Sequence, residues 1–220
     1  MWLFADRVEA GRRLASALAR ISSKGAIALA IPRGGVVVGF EVAQALVIPL
    51  DLIIPRKIGA PDNPELAIGA VAENGTIILD DRLVKYLQVS ENYIRTESEK
   101  QKLEIKRRLR LYRGDAPYPN IKDREVIVLD DGVATGYTMK AALASVRKKG
   151  AKAVIIAVPV GPRSTIDELA KEADHVVCLY TPEPFYAIGQ FYKNFPQTTD
   201  KEVIKLLNLS KQNLSLSPKK

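Results

Sequence analysis

The stretch Val126-Ile127-Val128-Leu129-Asp130-Asp131-Gly132-Val133-Ala134-Thr135-Gly136-Tyr137-Thr138 decides how this chain reads. Four aliphatic residues run straight into two carboxylates, and a glycine-spaced loop then leads into a helix-like segment from Met139 to Lys149. A short unbroken apolar run suits a strand buried on both faces, as in a parallel sheet. Asp130 and Asp131 then sit at its carboxyl end, where open α/β sheets bind ligands. Gly132 and Gly136 let the backbone turn, and the amides of residues 134–138 face one concavity at a helix N-terminus. Unpaired N–H groups and the helix dipole both favour an anion there, so the loop reads as a phosphate cradle. Thr135 and Thr138 add hydroxyl donors. The two carboxylates cannot hold phosphate, but they can accept from sugar hydroxyls or bind Mg²⁺ through water. The plain alternative is a strand–turn–helix in which Asp-Asp-Gly is only turn chemistry.

Two more strand ends carry ligand-type residues. Gly25 to Ile31 reads as a buried strand ending in Pro32-Arg33-Gly34-Gly35, followed by a helix over Val36 to Leu46. Leu50 to Ile54 is the next strand, closed by Pro55-Arg56-Lys57. Each cation taken singly could be an exposed surface charge. Three strand ends bearing Arg, Lys and Asp-Asp converge on one site. Further strands over Val154 to Val160 and His175 to Tyr180, with a helix over Ser164 to Lys171 between them, extend the alternation. The fold class expected is α/β, a doubly wound, mostly parallel sheet.

The motif at 126–138 resembles the 5-phosphoribosyl-1-pyrophosphate (PRPP) signature of type I phosphoribosyltransferases, with strand, Asp-Asp and Thr-Gly-x-Thr in the family's spacing. It is not a Walker loop, because three residues separate Gly132 from Gly136 and no Lys precedes Thr138. The resemblance implies a Mg²⁺-dependent transfer of 5-phosphoribosyl from PRPP to a nucleobase-like acceptor, with release of pyrophosphate. It implies that Asp130 and Asp131 hold the ribose hydroxyls and the Mg²⁺ shell, while Ala134, Thr135, Gly136, Tyr137 and Thr138 bind the 5-phosphate. By the same resemblance Arg33, Gly34, Gly35 and Lys57, with Arg56 in support, face the diphosphate. Arginine suits that task because its fork makes bidentate contacts with phosphate oxygens.

The resemblance also implies a flap at about 58–79 that covers the site and excludes water. The reading of the residues here is a loop from Gly59, then a hairpin of Glu65 to Val71 with Thr76 to Leu79, turning at Glu73-Asn74-Gly75. Glu65 and Glu73 are the flap carboxylates that could act as acid or base on the acceptor, or could simply be solvated. Residues 181–208 are expected to form a hood and closing helix, with Phe185 and Tyr186 as stacking candidates for a flat heterocycle. A small apolar cluster at the sheet edge is the alternative for these aromatics. In 6-oxopurine members the residue before Thr-Gly is an Asp, whereas here it is Ala134, as in adenine-type members. A group of bacterial and archaeal phosphoribosyltransferase-domain proteins shares the Arg-Lys-x-Gly-x-Pro and Phe-Tyr-x-x-x-Gln-Phe-Tyr stretches.

The rest of the chain sets bounds. It has 220 residues, 47% of them hydrophobic and 26% charged, which suits one globular unit: a core over 1–180 and an appended C-terminal part. A single cysteine, Cys178, excludes an internal disulfide and fits a reducing, cytoplasmic compartment; it is expected in the core. His175 is the one histidine and is expected to be structural. No leader pattern or membrane-length apolar run is read in the sequence. Arg7 to Ile21 has apolar residues at Val8, Leu14, Leu18 and Ile21, an amphipathic helix for the sheet. Residues 80–114 read as a charged helical insertion, packed as two helices or used as a surface for an expected homodimer. Within it, residues 95–113 carry eight Lys or Arg against three Glu. That segment supports one rival function, a PRPP-sensing regulator that binds nucleic acid, the less favoured partner. A second rival is a hydrolase using Asp130 as nucleophile. Lys201 to Leu207 closes the fold as a helix, and residues 209–220 are expected to fray.

Overall fold

A computed structural model describes residues 2–23 and 25–216. Five strands form an all-parallel sheet in the order β2-β1-β6-β7-β8: β1 is Ile27–Ala30, β2 Leu50–Leu52, β6 Glu125–Leu129, β7 Ala153–Val160 and β8 His175–Tyr180. Side chains alternate across this sheet with period two. Ala28, Ala30, Leu50, Leu52, Ile127, Leu129, Ile155 and Ala157 share one core with residues of α1 (Arg7–Leu18), α2 (Gly34–Leu46) and α7 (Asp200–Leu216). Ile27, Leu29, Val126, Val128, Val154, Ile156 and Val158 share the other with α5 (Tyr137–Lys148) and α6 (Arg163–Leu169). Burial on both faces explains why these strands read as unbroken apolar runs, and the doubly wound α/β expectation holds.

The chain leaves β1 towards β2 on one side and reaches β6 on the other. The strand order therefore reverses between β1 and β6. That switch point opens a crevice at the carboxyl ends of the two strands. The loops that follow them are Ile31–Arg33 and Asp130–Gly136, two of the motifs singled out above.

A second, antiparallel sheet of β3 (Arg56–Ala60), β4 (Asn63–Val71) and β5 (Ile77–Leu79) carries the flap region, and its arrangement corrects three expectations. Arg56 and Lys57 open β3 rather than closing the preceding strand. Gly59 and Ala60 belong to that strand, with register shifts on both sides of Gly59. The β4–β5 hairpin forms as expected, yet its turn is not the free end. Glu73 bonds Lys149 at the C-terminal end of α5, whereas residues 61–66, around the β3–β4 turn, are exposed. The projecting tip is thus the β3–β4 hairpin. Neither Gly59 nor Gly69 leaves room for a side chain: a Cβ at Gly69 would lie 2.3 Å from the Ile78 carbonyl oxygen of β5.

The insertion folds as two helices, α3 (Asp81–Tyr86) and α4 (Glu91–Arg113), capped by Asp80 and Ser90 accepting from Leu83 and Tyr93 amides. Ile105 and Tyr112 tie α4 into the core. The stripe of α1 also differs from expectation. Its buried positions are Arg7, Ala10, Gly11, Leu14, Ala15 and Leu18, while Ile21 lies beyond the helix and exposed. The closing helix is longer than expected, because Val203, Leu207 and Ser210 continue its buried face, so residues 209–216 are helical. The rest of the expected frayed tail, 217–220, lies outside the described residues. His175 opens β8 at the end away from the crevice and is exposed. Cys178 packs against the second core, where burial pushes its thiol up to about 11. No helix among the described residues is long and apolar enough to cross a membrane.

Replacing Gly69 by Ala forces a methyl group against a neighbouring strand's backbone, and overpacking of this kind costs about 1–3 kcal/mol. The urea midpoint of Gly69→Ala should fall accordingly; an unchanged midpoint would mean β5 yields freely.

Candidate functional site

The two crevice loops touch each other. Ile31 N–H donates to the Leu129 carbonyl (2.8 Å), extending the β1–β6 pairing past the strand ends. Beyond it, the start of α2 lies against the two carboxylates so closely that no side chain fits. A Cβ at Gly34 would stand 1.9 Å from Asp131 Oδ2, and one at Gly35 2.8 Å from Asp130 Oδ1. The Arg-Gly-Gly run therefore lets the β1 loop lie on the Asp-Asp pair.

The carboxylates have unequal surroundings. Asp131 is buried, and its Oδ2 accepts from Arg7 Nε at 2.7 Å. Arg7 also donates to the Pro196 carbonyl (2.7 Å) and its guanidinium lies 3.7 Å from the centre of the Phe195 ring. The Tyr192 hydroxyl donates to the Asp131 carbonyl at 2.6 Å, and burial together with the nearby Asp131 charge raises its pKa far above the ordinary tyrosine value. Asp130 has no ion pair among the described residues; its Oδ1 accepts the Asp131 amide at 2.8 Å. Burial first, and then the charge of Asp131, push the Asp130 carboxyl well above the usual carboxylate range. One acid is thus neutralised internally, and its neighbour stands without a counter-charge.

The loop from Gly132 to Gly136 is held at its back and open at its front. Val133 N–H donates to the Val160 carbonyl (2.9 Å), and Thr165 Oγ1 donates to the Ala134 carbonyl (2.7 Å). Gly136 adopts φ +82° immediately before α5, a conformation that favours glycine. The amides of Ala134, Thr135, Gly136, Tyr137 and Thr138 have no acceptor among the described residues, and Ala134 and Thr135 are exposed. Unpaired amides at a helix start are what an anion site requires. Tyr137 points away, towards the insertion. Its hydroxyl donates to Asp80, the cap of α3, and burial with the Asp80 contact raises it to about 12.

The cations are distributed around this centre. Arg33 caps α2 and lies 3.6 Å from Asp200, which also accepts from the Tyr112 hydroxyl (2.6 Å). Lys57 pairs with Glu65 across the β3–β4 hairpin at 2.7 Å, and that contact holds the exposed Glu65 carboxyl below its usual pKa. Arg56 Nε donates to Gln101 of α4 at 3.0 Å. Glu73 is removed from the site: it bonds Lys149 at the opposite end of α5, a helix of 12 residues. Of the two stacking candidates, Tyr186 is exposed (84%), whereas the Phe185 ring packs on Phe191 at 4.9 Å within an apolar cluster with Tyr192 and Ile188. Phe185 thus follows the edge-cluster alternative. The segment instead reaches the centre through Ile188, which would meet a Cβ at Gly132 at 2.6 Å, and through Tyr192.

Sequence reasoning missed Arg7, Tyr192 and Phe195. For Arg7 a signal existed: it falls on the i, i+3, i+4, i+7 stripe of α1, where a charge needs a buried partner. Removing one partner of a buried pair strands the other charge and costs about 3–5 kcal/mol. Arg7→Ala should therefore lower the urea midpoint steeply, and adding Asp131→Asn should recover much of the loss; equal midpoints for Arg7→Ala and wild type would place the pair outside the core.

Asp130 has the opposite sign. Its raised folded-state pKa contributes stability below the unfolded range near about 4 that is lost as pH rises through the folded value. At neutral pH Asp130→Asn should raise the melting temperature, by about 2–4 °C per kcal/mol for a chain of this size. The gain should vanish below about pH 4; a lower melting temperature at pH 7 would contradict it.

The family model for the phosphoribosyl transferase domain matches residues 6–192. A protein of Mycobacterium tuberculosis, in strains CDC 1551 and H37Rv, bearing the name "putative phosphoribosyl transferase", is 44% identical over 208 residues, 94% of this chain and 47% of that protein. The chain thus spans about half the length of the curated relatives it matches. The crystal structure of TT1426 from Thermus thermophilus superposes with a TM-score of 0.79 at 40% identity, covering 94% of this chain and 98% of that one.

Proposed function

The chain belongs to the phosphoribosyl transferase domain family, and on that premise we propose that it moves 5-phosphoribosyl from PRPP to a nitrogenous base, releasing pyrophosphate. The observation that carries this reading is the meeting of an open amide cradle, an uncompensated carboxylate and a glycine-bared arginine loop at one switch point.

In this reading the amides of residues 134–138, with the Thr135 and Thr138 hydroxyls, take the 5-phosphate. Asp130 and Asp131 accept from the ribose hydroxyls, and Arg7 holds the second carboxylate in place. Gly34 and Gly35 let the substrate's diphosphate approach backbone, while Arg33 and Lys57 answer the charge that grows on it as the C1–O bond lengthens. Arg56 stands beside Arg33 in support. Closure of the tip at 61–66 would carry Glu65 over the crevice, where Lys57 of β3 pairs with it, and shut out water.

The donor set fits Mg²⁺ arriving with the substrate. Asp130 is an oxygen ligand lacking a cation, and Mg²⁺ commonly takes one or two carboxylates plus substrate phosphates rather than a protein cage. When bound, the ion would neutralise diphosphate oxygens; Asp130 and Asp131 would hold it through water. The acceptor base would lie towards Ala134, Ile188 and Tyr186, with no titratable group at Ala134.

The test is pyrophosphate release from Mg-PRPP across a panel of purines, pyrimidines and related acids, with a control lacking acceptor. Release that depends on one base supports transfer; PRPP binding without release for any base would favour a PRPP-sensing regulator. Asp130→Asn together with Asp131→Asn should abolish Mg-PRPP binding, and unchanged affinity would remove both from the site. Because Asp130 must ionise to receive a cation, Mg-PRPP affinity should fall as pH drops through its raised value, sooner than for an ordinary carboxylate.

A further inference from the structure

The insertion helix α4 brings two arginines, Arg107 and Arg108, that no role above absorbs, and their charges act on Arg56. Arg56 of β3 and Arg107 of α4 line one groove, and the charge of Arg33 acts on Arg56 as well. Two carboxylates answer these four guanidiniums, and both are already engaged. Glu104 accepts from Arg107 (2.7 and 3.0 Å) and from Arg108 (2.7 Å), which holds its acid at about 2. Asp200 is shared between Arg33 and the Tyr112 hydroxyl. Four positive groups against two negative ones leave a formal excess of two.

Arg56 bears that excess. It is half-buried, its one hydrogen bond goes to the neutral Gln101 side chain, and no carboxylate pairs with it among the described residues. Burial lowers its pKa most, and Arg108, Arg107 and Arg33 act in the same direction against Glu104. A groove of about 430 Å³ opens beside it, lined by Arg56, Lys100, Gln101, Leu103, Glu104 and Arg107. Folding gathers like charges around a half-desolvated cation and leaves a space next to them, an arrangement an incoming anion would relieve. Planar, always-charged guanidiniums suit phosphate oxygens, which they can grip in pairs.

We propose that this groove, between β3 and α4, binds a di- or triphosphate group through Arg56, Arg107 and Lys100, next to the Arg33 loop and separate from the amide cradle. The site stands on its own residues and does not require the transfer reaction. Its ligand is either diphosphate leaving the neighbouring crevice or a free polyphosphate compound.

Calorimetric titration of the full chain with inorganic diphosphate and tripolyphosphate, each with and without saturating PRPP, tests it. Wild type should bind tripolyphosphate in both conditions, and Lys100→Glu combined with Arg107→Glu should weaken that binding at least tenfold. Arg107→Ala, which removes one exposed side chain paired with Glu104, should give an intermediate loss with an unchanged circular dichroism spectrum. Diphosphate binding as tightly as tripolyphosphate identifies the leaving group; tripolyphosphate binding far more tightly identifies a separate compound. No binding, complete displacement by PRPP, or equal affinity in the double variant would overturn the proposal. So would a 20-nucleotide RNA that displaces tripolyphosphate from wild type at lower concentration, which would give the groove to nucleic acid. PRPP affinity is read in the same titrations, so failure of the transfer reading appears as absent PRPP binding while the variant comparison still decides the groove.

Discussion

The pairing of Arg7 with Asp131 is the constraint on which the centre rests. Two adjacent carboxylates at the end of a buried strand repel each other and lose hydration together. By supplying a buried guanidinium to one of them, α1 makes the pair tolerable and gives the two acids different characters. Asp131 becomes a fixed part of the framework, bonded through its side chain to Arg7 and through its carbonyl to Tyr192. Asp130 remains the group with unmet demand. The same contact draws the N-terminal helix, the Asp-Asp loop and the C-terminal aromatic segment together, because Arg7 also reaches Pro196 and Phe195. An ion pair that contributes little net stability can still decide which of several elements must meet.

The fold was largely legible because its signals are local. Strands buried on both faces announce themselves as apolar runs, and the glycine-marked loops after β1 and β6 could be found without knowing their neighbours. What the sequence concealed depends on pairing between distant segments. Nothing in Arg56-Lys57 tells whether it closes one strand or opens the next; the partner β4 decides that, and with it which hairpin end is free. Glu73 and Glu65 look alike in sequence, yet one is anchored by Lys149 and the other extends into solvent. Phe185 and Tyr186 are adjacent, and only the location of Phe191 separates a packed ring from a free one.

The insertion changes meaning once its orientation is known. As sequence, residues 95–113 are a basic helix, a surface that could serve many partners. In the fold much of that charge is spent within the helix, in Glu97–Lys100, Glu99–Lys102 and Glu104–Arg107/Arg108 pairs. Exposed pairs of this kind contribute little to stability. Glu104 alone answers both Arg107 and Arg108, so their combined charge still acts on Arg56 of β3.

Two kinds of anion recognition therefore lie side by side, and their physics differs. The cradle at 134–138 uses backbone amides whose direction is set by Gly136 and the start of α5, so it is rigid and specific in shape. The groove at Arg56 uses long side chains with a surplus of charge, so it is adaptable in shape and sensitive to salt. Arg33 stands between them, with its backbone in the β1 loop and its guanidinium turned to Asp200 on the α4 side. Any anion that drew Arg33 away from Asp200 would change the field felt by Arg56, Arg107 and Arg108. Arg33 lines neither site but adds to the field at Arg56, so an anion that moved it would couple the two, and by linkage the effect would be reciprocal.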